Sequence, residues 1–292
     1  MHIFLTGGSG YLGGHLTRHF IGSGHQVSAL ARSQAAGDKV AALGARPVAG
    51  SLADTAVLRR AAAEADAIVH AAVDFADPAM REVEEPALAA LLGGARPGTP
   101  FVYTSTGLVY PDGRGATADE DTPVDAEGSP QPYKVLGEQQ VLAARGPAVT
   151  VVRAALIYGH GGSGLLQGMI AGARERGAAT YIGDGANAWS AVHVDDLARL
   201  YAAVIARAEH GLVVNAASRT HVTMRQIAEA VAHTTGTRAV SITREQAEQA
   251  LGPYAAVLTR STPLDPSRAE RAVNWTPEAP ALLDDLRTGS YA

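Results

Sequence analysis

The chain has 292 residues, 47% of them hydrophobic and 18% charged, which is the composition of a globular protein and leaves room for one wide α/β domain or a domain with a smaller companion. Lys and Arg number 24 against 29 Asp and Glu, a net charge of −5 with no long run of like charge, so neither nucleic acid nor an anionic membrane surface is expected as a partner. Cysteine is absent, which excludes disulfides, thiolate metal sites and a cysteine nucleophile.

The chain starts MHIFLTGGSGYLGG. Three apolar residues pass straight into glycines, with no charged n-region and h-region, and no apolar stretch approaches the roughly 18 residues of a membrane span. A cytoplasmic protein is expected.

Apolar runs alternate with helical patterns through the first half, as in βαβ units feeding a parallel sheet. His2 to Leu5 is the first strand, followed by a helix from about Gly10 to Gly22 with Tyr11, Leu12, Leu16 and Phe20 at helical spacing. GHQVSALAR, ARPVAG, ADAIVHAA, TPFVYTST and AVTVVRAAL supply strands two to six, with helices between them, notably Asp54 to Glu64 with Asp54 as N-cap, and about Tyr133 to Ala144. The expected fold is α/β, a doubly wound parallel sheet of Rossmann type with a smaller C-terminal substrate lobe. After GHGGSG a helix near Leu165 to Arg176, a YIGDG strand and turn, and AVHV followed by a helix and GLVVNAA read as a return to the sheet and a second lobe. The expected division is 1–155 with 186–221 for the dinucleotide domain, and 156–185 with 222–292 for the lobe.

Gly7, Gly10 and Gly13 stand in TGGSGYLG, between a strand and a helix. The first glycine permits the tight turn, the second lets backbone approach a pyrophosphate, and the third lets helix pack on strand, with the helix N-terminus facing the phosphates. Ser9, Tyr11 and Leu12 belong to the same cofactor-binding turn. Strand two ends in Ala31-Arg32-Ser33 with no acid before Asp38. An acid there would accept from the ribose 2′-hydroxyl of NAD, whereas Arg32, beside Ser33, suits the 2′-phosphate, so NADP is expected over NAD.

TGGSGYLG, GSLAD, HAA, YTSTGLVYP, VRAALIYGHG and AVHVDDLA, in that order, resemble the landmarks of the short-chain dehydrogenase/reductase superfamily, in its NAD-dependent epimerase/dehydratase-like branch. The resemblance covers nearly the whole chain. It implies that Leu52 and Asp54 lie against the adenine, that Ala71 and Ala72 line the cofactor channel, and that Leu156 touches the nicotinamide end. It also implies a C-terminal lobe that holds the substrate, and dimers through helices flanking strand five are common in that family, which makes a homodimer a candidate.

Two departures stand out. The family's Arg-Pro after strand six is Arg153-Ala154 here. The family also acts through a Ser or Thr after strand five and a Y-x-x-x-K on the next helix, the tyrosine exchanging a proton with the substrate oxygen and the lysine lowering its pKa and holding the ribose. Here Tyr133 is followed four residues on by Gly137. Glu138, four residues past Lys134, makes Lys134 the family lysine and puts Pro130 at the tyrosine position. Thr106 aligns with the family's hydroxyl, with Ser105 as the alternative, and Tyr133 is either a displaced proton donor or a packing aromatic.

Asp74, Tyr158, Trp189 and His193 join Thr106 as candidate substrate contacts. His193-Val194-Asp195-Asp196 reads as a strand-to-helix junction with an Asp cap, His70 as a core or cofactor-side residue and His160 as loop, and no metal is expected. The function expected is an NADP-dependent oxidoreductase acting on a carbonyl or hydroxyl of a small molecule. A nucleotide-sugar epimerase or dehydratase, and an NADP-binding sensor without turnover, are the alternatives.

Overall fold

A computed structural model describes residues 1–73 and 79–292. Seven strands build the main sheet: β1 (His2–Thr6), β2 (Gln26–Ala31), β3 (Arg46–Ala49), β4 (Ala67–His70), β5 (Pro100–Thr106), β6 (Ala148–Ala154) and, far along the chain, β10 (Leu212–Ala216). Their order is β10-β6-β5-β4-β1-β2-β3 and every pairing is parallel. The strand order reverses between β1 and β4, which opens a crevice beyond their carboxyl ends. Thr6 and His70 face each other across it in register.

Both faces of the sheet are covered, so neighbouring residues of one strand enter different cores. Ile3, Leu5, Val69, Val102 and Val152 pack on one side with Leu16 and Phe20 of α1 (Tyr11–Gly22) and Leu197 and Tyr201 of α7 (Val194–Arg207). Phe4, Ile68, Phe101, Tyr103 and Val151 pack on the other with Leu58 of α3 (Thr55–Glu64), Leu88 of α4 (Met80–Gly94) and Val141 of α5 (Pro132–Leu142). Ser33 caps α2 (Gln34–Ala42), accepting from the Ala36 N–H at 3.2 Å. Pro132 is the first residue of α5, where its missing N–H costs nothing.

The strand expected over 148–156 is split. It ends at Ala154, within the main sheet, and β7 (Leu156–Tyr158) joins a separate sheet of order β11-β9-β7, with β9 (Ala188–His193) and β11 (His221–Thr223). The AVHV segment therefore does not return to the main sheet; β10 alone does, beside β6. Further on, β8 (Ala178–Ile182) pairs with β12 (Arg238–Ile242). A second core unites Tyr158 and Trp189 with residues of α6 (Gly164–Arg176), α8 (Met224–Thr235) and α12 (Leu282–Thr288). The remaining helices are α9 (Arg244–Leu251), α10 (Tyr254–Leu258) and α11 (Ser267–Val273). Among the described residues no helix is long and apolar enough to cross a membrane.

Candidate active site

A cavity of about 940 Å³ opens over the carboxyl ends of the parallel strands. Its wall includes the glycine turn (Gly7, Ser9, Gly10, Tyr11, Leu12 and Gly13), then Arg32 and Leu52, then Ala71 and Ala72. Thr104, Ser105, Thr106, Lys134, Leu156 and Trp189 complete the sequence-derived and neighbouring positions. Among the described lining residues Arg32 and Lys134 carry the only charges of acidic or basic side chains, and there is no carboxylate.

The glycine turn is shaped for a bound anion. Gly7 sits at φ +81°, and a Cβ there would come within 2.8 Å of the Ala71 and Ala72 backbone. A Cβ on Gly13 would lie 2.1 Å from the Gly7 carbonyl oxygen, so only glycine lets α1 pack this close to the turn. Gly10 is the N-cap of α1 and offers no side chain to its first N–H groups. The opening donors of the helix and the positive end of its dipole are thus left for a phosphate. These features fit a dinucleotide. Thr6 steadies the floor, its Oγ1 accepting from the Ala71 and Ala72 N–H groups at 3.2 Å each.

Lys134 lines the cavity but is tethered from behind. Its Nζ lies 2.7 Å from Glu84 Oε1, and the same oxygen accepts from Tyr103 Oη at 2.8 Å and stands 3.5 Å from His70 Nε2. The lysine and glutamate side chains are 4% and 3% exposed. Burial pushes the Glu84 carboxyl up, but the neighbouring His70 and the Lys134 charge outweigh it and hold it at about 2. Burial pulls the Lys134 ammonium below its ordinary value against the attraction of Glu84. The ammonium also lies 4.7 Å from the centroid of the Tyr103 ring and 5.4 Å from that of Tyr133.

Of the two hydroxyls after β5, Ser105 is committed elsewhere: its Oγ donates to Glu138 Oε1 at 2.5 Å. Glu138 also takes Arg153, with Nη2 to Oε2 at 2.7 Å, and Arg153 Nη1 donates to Tyr110 Oη at 2.8 Å. Arg153-Ala154 therefore acts through a buried ion pair, and Ala154 stays in strand register with Thr106 and Ala216. Thr106 Oγ1 accepts from the Leu108 N–H at 3.2 Å, which leaves its own proton for a group in the cavity.

Several expected contacts lie elsewhere. Tyr133 is not part of the cavity wall, although its neighbours Gln131 and Lys134 are. Tyr158 is 2% exposed in the second core, its hydroxyl donating to the Pro280 carbonyl at 2.6 Å. His193 is not a wall residue but the N-cap of α7, its Nδ1 accepting from the Asp195 N–H at 3.2 Å. A histidine caps that helix where an aspartate was expected; Asp196 instead receives the Glu278 and Ala279 N–H groups. Ser33 is the α2 cap and not a wall residue. Asp54 occupies the N-cap position of α3, but its side chain does not cap the helix, because the carboxylate turns back to the Ser51 N–H and hydroxyl at 2.7 and 2.8 Å. Asp74 lies outside the described residues. Trp189 does reach the wall, its Nε1 held by the Arg260 carbonyl at 2.7 Å.

Sequence reading missed Glu84 and the wall residues Met80 and Val83. Glu84 had a signal, since it sits four residues from both Met80 and Leu88, a carboxylate within the apolar stripe of α4. The others look like ordinary core or loop positions.

Comparison with known proteins places the chain. A Saccharomyces cerevisiae protein of uncharacterized function is 28% identical over 296 residues, 98% of each chain. A 4-hydroxy-2-methyl-3-oxo-4-farnesyl-3,4-dihydroquinoline-1-oxide ketoreductase from Stigmatella aurantiaca is 36% identical over 182 residues, 58% of this chain and 54% of that one. The solved structure of DesIV, a dTDP-glucose 4,6-dehydratase from Streptomyces venezuelae with NAD and TYD bound, superposes with a TM-score of 0.81 over 100% of this chain and 96% of that one, at 22% identity. With the glycine turn, the parallel sheet and the cavity at its switch point, and with a family model matching residues 3–217, the chain belongs to the NAD dependent epimerase/dehydratase family and is an NAD(P)-dependent enzyme of oxidoreductase type.

Proposed function

We propose that the protein is an NADP-dependent reductase or dehydrogenase of a carbonyl or hydroxyl group on a small, largely apolar molecule. The observation that carries this reading is the charge of the cavity wall: an arginine where strand two ends, a lysine beside the reacting region, and no carboxylate among the described lining residues. Among the described wall residues there is no acid to accept from the 2′-hydroxyl of NAD, and the Asp54 carboxylate is bonded to Ser51. Arg32 then meets a 2′-phosphate, and the α1 N-terminus meets the pyrophosphate.

When bound, the nicotinamide supplies or accepts the hydride. Lys134 holds the ribose from the position that Glu84 fixes. Thr106 donates a hydrogen bond to the substrate oxygen and so stabilises the charge that develops there. Pro130 stands where the family has its tyrosine, so the proton is exchanged with Tyr133, after a shift of its side chain, or with water. The lobe side of the wall, with Leu165, Trp189, Tyr254, Thr262 and Leu264, has no cation among its described residues to hold a nucleotide diphosphate. That favours an apolar ketone or alcohol over a nucleotide sugar, and the relative acting on a ketone supports it. The division into 1–155 with 186–221 and 156–185 with 222–292 belongs to this proposal.

The test follows NADPH oxidation across aldehydes, ketones and nucleotide sugars. Turnover of an apolar ketone that drops by at least a hundredfold in Thr106→Val, with cofactor affinity kept, supports the assignment. Tyr133→Phe then separates the two proton sources, since a comparable loss assigns the proton to the phenol and an unchanged rate assigns it to water. Tight NADPH binding with no turnover of any carbonyl would replace the enzyme reading by the sensor.

A further inference from the structure

Away from the cavity, three segments distant in sequence converge on one point. His15 comes from the second turn of α1, His160 from the loop after β7, and Asp195 from the first turn of α7. His160 Nε2 lies 2.8 Å from Asp195 Oδ2, His15 Nδ1 lies 3.6 Å from Asp195 Oδ1, and one donor atom from each residue falls within 4.8 Å of the others. We propose that His15, His160 and Asp195 bind a divalent transition-metal ion, zinc being the best match, with water completing its shell.

Donors held about 2.1 Å from a tetrahedral ion lie about 3.4 Å from one another. The contacts of 2.8 and 3.6 Å lie to either side of that value but run to different carboxylate oxygens, and the one-atom-per-residue set falls within 4.8 Å, so side-chain rotation closes it. Two imidazoles with one carboxylate form the nitrogen and oxygen donor set of zinc and its neighbours, and calcium or magnesium would call for oxygens alone.

The protein by itself leaves this arrangement incomplete. The 3.6 Å separation of His15 from the carboxylate is beyond a hydrogen bond, while its ring lies stacked on His160 with centroids 4.8 Å apart and planes 25° from parallel. Both rings thus turn a nitrogen to the same carboxylate. His160 reaches it from a left-handed backbone, φ +51°, uncommon outside glycine. The turn is fixed by Ser290 Oγ, which accepts from the Gly161 N–H at 2.9 Å. His193 stays outside the donor set, because its Nδ1 is taken by the Asp195 N–H. The side chains of His160 and Asp195 are 51% and 50% exposed, so an ion has an open path in.

An ion here would fasten the loop after β7 to α1. Tyr11 already donates to the Gly159 carbonyl at 2.7 Å, and the loop runs on into Ser163 and Gly164, which line the cavity. Metal binding would therefore stiffen one wall of the cofactor site without supplying a ligand to it.

The whole chain, first stripped with a chelator, is titrated calorimetrically with Zn²⁺ at neutral pH, and the visible d–d absorption of Co²⁺ is recorded in parallel. Saturable uptake of one ion per chain is expected, with affinity falling by about tenfold or more in both His160→Asn and Asp195→Asn, the range for loss of a metal-orienting or ligating group. Asparagine tolerates the left-handed backbone at 160, so the first variant retains its fold, as circular dichroism without metal will verify. His233→Asn, on the exposed side of α8, serves as the control and should bind like the wild type. Absence of stoichiometric uptake, or equal uptake by the wild type and both variants, overturns the proposal.

Discussion

Replacing Glu84 by alanine takes the counter-charge from an ammonium that is almost wholly buried. The Lys134–Glu84 contact of 2.7 Å corresponds to about 6 kcal/mol of attraction at an effective dielectric constant of about 20. Part of that loss is recovered as water enters the space or the lysine gives up its proton, and removal of one partner from a buried pair typically costs about 3–5 kcal/mol. The Tyr103 hydroxyl loses its acceptor as well. Set against a total stability of about 5–15 kcal/mol, this is a large fraction. Urea unfolding followed by circular dichroism measures it, and a double-mutant cycle with Lys134→Met identifies the cause. In the Glu84→Ala background, Lys134→Met should restore most of the stability, since no charge is then left buried. The pH dependence carries its own sign. With Glu84 gone, the folded Lys134 pKa is depressed further below its unfolded value, so the unfolded chain binds more protons and the variant gains stability as pH rises toward about 10.4. In the wild type Glu84 is depressed to about 2, so its contribution is present above the unfolded carboxyl value and is lost as pH falls toward 2. A loss below about 1 kcal/mol in Glu84→Ala, or one that Lys134→Met leaves unchanged, would refute the tethering of the lysine.

Arg32→Asp should weaken NADPH relative to NADH by about 1.5–3 kcal/mol, the value of a charge-assisted hydrogen bond; fluorescence titration of both cofactors decides it, and equal wild-type affinities would count against a 2′-phosphate site. Gly10→Val places a branched side chain at the open end of α1, so cofactor binding should vanish while the circular dichroism spectrum persists; loss of the fold in parallel would make the turn a packing element. Gly137→Ala puts a Cβ 2.2 Å from the Tyr103 hydroxyl, which must then leave Glu84, and should cost about 1–3 kcal/mol in urea unfolding. A neutral result would mean that Tyr103 contributes nothing to the Glu84 cluster.

The local signals of this chain concern the backbone, and there the sequence was sufficient. Alternating apolar runs and helical patterns determine a parallel α/β sheet, and the positions of Gly7, Gly10 and Gly13 determine a tight strand-to-helix turn with close backbone packing, because these features depend on a few neighbouring residues. The split of strand six at Ala155 was not legible, since AVTVVRAALIY holds no glycine or proline to mark a break and only the partner strands decide where one sheet ends and another begins. The destinations of polar side chains were equally out of reach. Asp54, Tyr158 and His193 have the residue types of a site, yet each is claimed by a nearer partner, Ser51, Pro280 and Asp195. Glu84, without a motif, became the anchor of Lys134 because a buried ammonium must be matched by a charge from whichever element packs against it. His15, His160 and Asp195 meet only through the packing of α1 and α7 on one face of the sheet. Chain-local periodicity thus set the elements, and the long-range pairing of charges, which no spacing encodes, set the chemistry around them.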